Sequence, residues 1–169
     1  MLVRTGSRTV PLTRINVLFP GLVVLLVGCG SEESGPPMAR VSGIVKYEGE
    51  PIAGATVHFV PMVVSVGYVP ASGKTNDEGK FELQTRDREG ALCGSNRVAI
   101  SAPNPEHPFV KDPRQLLLPH PASELEGMHL IPLVYADPIA TKLTAEVVSG
   151  QTNVINFELT EDGTGGVAR

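Results

Sequence analysis

The side chains that could carry out chemistry in this chain are few, and most are histidines that lie far apart. They are His58, His107, His120 and His129. No two of them form an H-x-H pair or an H-E-x-x-H motif, so their spacing predicts no preformed zinc site. His120 and His129 share one proline-rich segment and could meet Glu124 or Glu126 at a metal ion, but surface histidines fit such a segment better. The stretch "NDEG" lacks the D-x-[DN]-x-[DN]-G spacing of a calcium loop and indicates a turn.

Serine and cysteine nucleophiles show no catalytic arrangement either. The chain has no G-x-S-x-G elbow and no S-x-x-K motif. Cys93 stands in "ALCGSNRV", directly before a strand-like run and with no histidine nearby. A buried structural cysteine or an exposed free thiol is therefore favoured over a nucleophile. We expect no enzyme activity, no metal and no cofactor.

The first 28 residues have the pattern of a secretory signal peptide. Their only charged residues are Arg4, Arg8 and Arg14. The apolar run that follows, Ile15 to Val27, is interrupted and is shorter than the roughly 20 apolar residues that span a bilayer. A basic start, a short apolar run and a small-residue end predict an exported segment that is cleaved off.

The end of that segment, "LVGC" (Leu26 to Cys29), resembles the bacterial lipobox. The resemblance implies cleavage after Gly28 and a thioether-linked diacylglyceryl group on Cys29, which is the predicted lipidation site. The alternatives are a cysteine in an ordinary signal peptide and an N-terminal anchor helix. A lipid on Cys29 would hold the protein at the cell envelope, and Gly30 favours the outer membrane or periplasmic face by the rule for other bacterial lipoproteins. It would also leave Cys93 without a disulfide partner in the chain.

An acidic stretch rich in glycine and proline follows, which predicts a flexible tether over residues 29–39. The chain has a net charge of −4, and because the first 28 residues carry +3, the remainder carries −7. A domain of that sign is not drawn to nucleic-acid phosphates, so no nucleic-acid partner is expected.

From residue 40 onwards, apolar and polar residues alternate in short runs between turn residues, which predicts strands. The runs are "RVSGIVKYEG", "GATVHFVP", "GKFELQT", "NRVAIS", "KLTAEVV" and "VINFELT". Helical periodicity is confined to a turn or two in "ASELEGMH". One apolar face per strand predicts an antiparallel β-sandwich or barrel. Two loops are long, 61–72 and 103–129, and the first is apolar enough to be a further strand, a lid or a partner-binding patch.

Several of these runs carry a resemblance. "VSGIVKYEGEPIAGATVHFVP", "SGKTNDEGKFEL" and "CGSNRVAIS" are similar to the carboxypeptidase regulatory-like domain family, and "IPLVYADPIATKLTAEVVSGQTNVINFEL" resembles the C-terminal signature of its small lipoproteins in planctomycete-type bacteria. The resemblance implies an all-β fold, a seven-stranded prealbumin-like (transthyretin-like) antiparallel β-sandwich over residues 40–160, without peptidase residues. A flexible C-terminal tail is expected over 161–169. Two positions depart from the pattern: Val134 replaces a usual lysine, and Asn96 a usual aromatic residue.

These observations predict a non-catalytic lipoprotein that is attached to the membrane by its lipid and whose β-sandwich is an interaction or structural module. Its candidate partners are an envelope protein and a polysaccharide. One alternative is a carbohydrate-binding module. Since the chain has no tryptophan, sugars would have to stack on Tyr68, Phe109 or Tyr135. The other is a transthyretin-like hydrolase, but the ending "EDGTGGVAR" lacks the Tyr-Arg-Gly-Ser of the hydroxyisourate hydrolase.

Overall fold

Short β-strands make up most of the regular structure in the computed structural model, which describes residues 36–63, 69–112, 114, 122–124 and 127–168. In chain order the strands are β1 (Met38–Ala39), β2 (Val41–Tyr47), β3 (Glu50–Pro51), β4 (Thr56–Pro61), β5 (Ala71–Lys74), β6 (Lys80–Glu82), β7 (Gln84–Thr85), β8 (Arg88–Glu89), β9 (Ala91–Leu92), β10 (Gly94–Ser101), β11 (Thr144–Val147), β12 (Asn153–Val154), β13 (Asn156–Leu159) and β14 (Gly166–Ala168). The described helical segments are α1 (Pro108–Lys111) and the 3-10 turns Ala122–Glu124 and Leu133–Tyr135. The turn at Ala122–Glu124 lies in the stretch where the sequence predicts a helical turn.

The strands form two main sheets, with β1 and β9 as a separate ribbon. In the part of the chain that the structure describes, each main sheet has six strands. The one with more strand residues, called the larger sheet, has the order β11-β10-β4-β5-β7-β8, and all its neighbours are antiparallel. In the smaller sheet, β2 pairs antiparallel with β3 and β6 along one edge and parallel with β12 and β13 along the other. These parallel pairs correct the expectation of antiparallel neighbours throughout. Alternation fixes which face of a strand is buried, but it carries no information about strand direction.

The apolar faces of the two sheets form one core, as the alternation predicts. The rings of Phe59 on β4 and Phe157 on β13 meet edge to face with centroids 6.1 Å apart. The ring of Phe81 on β6 stacks on Phe157 at the same centroid distance. The residues that alternate with the core positions along each strand are half-buried or exposed, with Ala99 of β10 as a buried exception. The prediction of an all-β sandwich is confirmed.

The run "GKFELQT" is predicted as one strand, but the structure divides it between the two sheets. Its first part, β6, pairs with β2, and its second part, β7, pairs with β5 of the larger sheet. Leu83 is buried between them. At the crossing a Cβ on Gly73 of β5 would lie 2.1 Å from the Glu82 carbonyl oxygen, so the close passage requires a glycine.

Both ends of the predicted domain are more ordered than the sequence suggests. Met38 and Ala39, assigned to the tether, pair with β9, and Ala39 is buried. Gly166–Ala168, assigned to a flexible tail, pair with β13. A strand of two or three residues at the end of a domain gives little alternation signal, so composition alone points to a tether or a tail.

The C-terminal segment is held in place by the hydroxyl group of Tyr135. This hydroxyl donates to the Thr160 carbonyl at 2.9 Å and accepts from the backbone N–H groups of Thr160 and Gly165, each at 3.0 Å. Asp162 fixes the intervening turn, because its carboxylate accepts from the hydroxyls of Thr160 and Thr164 and from the Thr164 backbone N–H. These hydrogen bonds lower the pKa of Asp162 to about 2, and the one from the Thr164 hydroxyl makes the largest contribution.

Replacing Tyr135 by phenylalanine is expected to destabilise the protein by about 2 kcal/mol, because two backbone donors and one carbonyl acceptor lose their shared partner. Urea unfolding followed by circular dichroism measures this difference. Tyr47→Phe is the matched control, since the Tyr47 hydroxyl makes no hydrogen bond to any described residue. Equal losses in the two variants would show that the Tyr135 hydroxyl does not hold the C-terminal segment.

Candidate binding groove

The outer face of the smaller sheet carries a groove of about 650 Å³. Its floor is formed by side chains of β2 and of the strands on either side of it, and one wall by β5 and the turn that follows. The residues used below are Ser42, Ile44, Lys74, Lys80, Glu82 and Val154. We call this surface the outer-face groove.

Strand register places these side chains together. Ser42 lies between Glu82 on β6 and Val154 on β12, and Ile44 lies opposite Lys80. Because side chains along a strand alternate between faces, the burial of Val41 and Val45 turns Ser42 and Ile44 outward. The groove is therefore a direct product of the alternation that builds the core.

Two asparagines fix the borders of the groove. The Asn156 side-chain oxygen accepts from the Ile44 backbone N–H at 3.0 Å, beside the residue at which β12 and β13 are interrupted. The Asn76 side-chain oxygen accepts from the backbone N–H groups of Glu78 at 3.1 Å and Lys80 at 2.8 Å. The Asn76 hydrogen bonds confirm that "NDEG" forms a turn. Together with the Asn156 hydrogen bond they hold the backbone at two borders of the groove.

The groove combines positive charge with exposed apolar surface. Lys74 and Lys80 outnumber Glu82, and within the described residues neither lysine lies within 4.0 Å of a carboxylate oxygen. Val154 is 70% exposed beside the half-buried Ile44. An ammonium group without a partner and a nearby apolar side chain suit a ligand that is acidic and partly apolar.

A smaller cleft of about 230 Å³ lies nearby at Arg40, Glu89 and Thr152. Its positive side chain, Arg40, is already paired, because the guanidinium lies 2.7 Å from a Glu89 carboxylate oxygen. Both side chains are largely exposed, so this ion pair adds little stability. The cleft offers no free positive charge comparable to those of the lysines in the outer-face groove.

The described histidines lie on separate elements of the fold. His58 faces outward on β4 and is half-buried. His107 caps α1 and accepts from the Phe109 backbone N–H at 3.3 Å through Nδ1. His129 forms an isolated bridge with Pro103. His120 and Glu126 lie outside the described residues, and the described ones contain no group of three or more metal-ligating side chains.

Two of the three aromatic residues suggested for stacking on sugars cannot do so, which corrects that expectation. Tyr135 is 1% exposed and Phe109 is 6% exposed. Tyr135 is buried where its hydroxyl holds the C-terminal segment. From the sequence alone, one expects only that a buried tyrosine hydroxyl has a hydrogen-bond partner. Tyr68, the third, lies outside the described residues, as does Cys29, the predicted lipidation site.

Cys93 directly precedes strand β10 and Asn96 lies within it, and both contact the interior of the domain. Cys93 is half-buried and packs against the core. Asn96 is fully buried, and its amide donates to the carbonyls of Leu92 at 3.1 Å and Gly94 at 2.8 Å. Asn96 thereby secures the turn into β10.

The sequence pattern does not predict the outer-face groove, because outward positions of alternating strands are expected to face solvent. A signal was nevertheless present, since Ile44 and Val154 are apolar residues at outward positions of strands. Lys74 could not be assigned to the same surface without knowing how β5 packs beside β6.

Within the described part of the chain, no helix has the length and apolar character needed to cross a bilayer. No protein-family model, curated protein or solved structure matches this sequence.

Proposed function

We propose that this chain is a non-catalytic, exported lipoprotein of the cell envelope, and that its β-sandwich is a carboxypeptidase regulatory-like module that binds a partner. Two sequence features support this: the "LVGC" lipobox, which assigns the lipid to Cys29, and the family motifs over residues 41–159. The all-β sandwich is the architecture that those motifs imply.

The outer-face groove is the observation that carries the binding role. Its lysines Lys74 and Lys80 lack carboxylate partners among the described residues, whereas most of the remaining charge of the domain is negative. The partner is therefore an acidic segment of another envelope protein that also presents apolar side chains to Ile44 and Val154. An acidic polysaccharide would satisfy the lysines but would make no use of the two apolar side chains.

Photo-crosslinking from the groove tests this function. With p-benzoylphenylalanine at Ile44, we expect one crosslinked protein in intact cells, and we expect Lys74→Glu with Lys80→Glu to reduce its yield roughly tenfold, because like charges repel across an interface. Lys142→Glu is the matched control, since Lys142 is an exposed lysine beside the other sheet. A yield unchanged by the groove variants would refute the groove, and a crosslink to polysaccharide alone would refute the acidic protein partner.

A further inference from the structure

The chain enters the β-sandwich beside the start of β10. The Pro37 carbonyl accepts from the Cys93 backbone N–H at 3.0 Å, and Met38 pairs with Leu92. The proposed lipid site, Cys29, is separated from this point only by the segment Gly30–Pro37. A lipid on Cys29 would therefore keep this end of the domain close to the membrane.

Exposed apolar side chains collect at the same end. On one side of β10, Met62 follows the Pro61–Asn96 pair, and its backbone N–H donates to the Ser95 carbonyl at 2.9 Å. On the other side, Val148 follows the Val147–Gly94 pair. We call Met62, Val63, Ile139 and Val148 the anchor-end patch.

The members of the anchor-end patch are strongly exposed. Met62 is 50% exposed, Val63 74%, Ile139 83% and Val148 48%. Ile139 and Met62 line a hollow of about 300 Å³ with Arg97, whose guanidinium donates to the Pro138 carbonyl at 3.2 Å. Apolar surface gathered in this way costs free energy in water unless something covers it.

The length of the connecting segment decides which end of the domain can reach a membrane. Eight residues, Gly30 to Pro37, span at most about 28 Å when fully extended. A domain of about 130 residues has a radius of gyration of about 14 Å and a diameter of about 36 Å, so the path over its surface to the opposite end is about 55 Å. The segment is too short to bring the opposite end to the bilayer.

We propose that the anchor-end patch inserts into the lipid surface that holds the protein, so that the domain stands on this end with a fixed orientation. This inference rests on the proposed lipidation of Cys29. The lipid supplies the attachment, and the four apolar side chains supply a second contact that shallow insertion at the headgroup boundary would bury. Arg97 at the rim can then meet lipid phosphates.

Single tryptophans test this orientation, because the natural chain contains none. The acylated Met62→Trp protein is reconstituted into phosphatidylcholine vesicles with and without brominated acyl chains. We expect bromine to quench its tryptophan emission. We also expect this emission to lie at a shorter wavelength than that of the same variant without acyl chains in buffer. Ile139→Trp is the second reporter, used if Met62→Trp fails to fold by circular dichroism. Leu133→Trp is the matched control, since Leu133 is 61% exposed near Thr160, at the other end of the sandwich.

The outcomes separate this inference from the proposed function. An acylated N-terminus by mass spectrometry, with Met62→Trp and Ile139→Trp no more quenched than Leu133→Trp, overturns the orientation and leaves the lipoprotein intact. A chain that carries no acyl mass overturns both. Quenching of the two reporters without quenching of the control is the result expected.

Discussion

Replacement of Cys29 by serine is expected to abolish incorporation of radiolabelled fatty acid into the protein completely and to leave residues 1–28 attached. The lipobox reaction forms a thioether, and a serine hydroxyl is far too weak a nucleophile to replace the thiolate. Without the proposed diacylglyceryl group, the protein would lose two acyl chains that contribute about 0.8 kcal/mol to membrane anchoring per buried methylene. The measurements are the radioactivity of the immunoprecipitated protein and the mass of its N-terminal peptide.

Cys93→Ser is the matched control, because Cys93 is the other cysteine of the chain. Cys93 lies half-buried against the core of the folded domain, so acylation there is not expected. The Cys93→Ser protein should therefore incorporate label like the natural protein and begin at residue 29. Label that persists in Cys29→Ser, or disappears in Cys93→Ser, would contradict the assignment of the lipid.

The buried faces of the strands could be predicted from the sequence, whereas their directions and their sheets could not. Val57 and Phe59 on β4, and Phe157 and Leu159 on β13, are all buried as the alternation predicts. The parallel pairing of β13 with β2 joins residues more than a hundred positions apart, and no turn between them limits its direction. The passage of the chain from one sheet to the other at Leu83 also could not be predicted from the sequence, because an uninterrupted alternation predicts a single strand.

The candidate surfaces depend on these long-range features, which is why the sequence predicted them poorly. The outer-face groove needs β5 and β12 on either side of β2, and the anchor-end patch needs the ends of β4 and β11 to meet the start of β10. The chemistry of single residues was easier to predict. The turn at Asn76 could be predicted because its hydrogen bonds join residues close in the chain. The burial of Tyr135 could not, because it depends on the distant Thr160.

Gly43→Ala is expected to have the largest effect on stability of any substitution considered above. Gly43 lies in the middle of β2, where the interruption between β12 and β13 turns the Ile155 carbonyl toward it. A Cβ on residue 43 would lie 1.8 Å from the Ile155 carbonyl oxygen and 3.0 Å from the Phe81 ring. The ring could rotate, but the carbonyl belongs to a backbone that is fixed by the Ile155 N–H, which donates to the Ser42 carbonyl at 2.8 Å. Relief of the overlap must therefore separate two strands, which should cost about 4 kcal/mol, or about 14 °C in Tm for a domain of this size.

Gly166→Ala is the matched control for this steric argument. Gly166 is also a strand glycine, but a Cβ there would meet nothing within 4 Å, so its unfolding free energy should change by less than about 0.5 kcal/mol. Urea unfolding of both variants, followed by circular dichroism, compares them directly. If the unfolding free energy of Gly43→Ala lies within about 1 kcal/mol of that of the natural protein, the Ile155 backbone can move aside at low cost. The groove floor above it, where Asn156 holds Ile44, would then also be deformable, because both contacts arise from the same interruption of the strand. A large loss confined to Gly43→Ala would instead show that the Ile155 backbone is held firmly against β2 where β12 and β13 are interrupted.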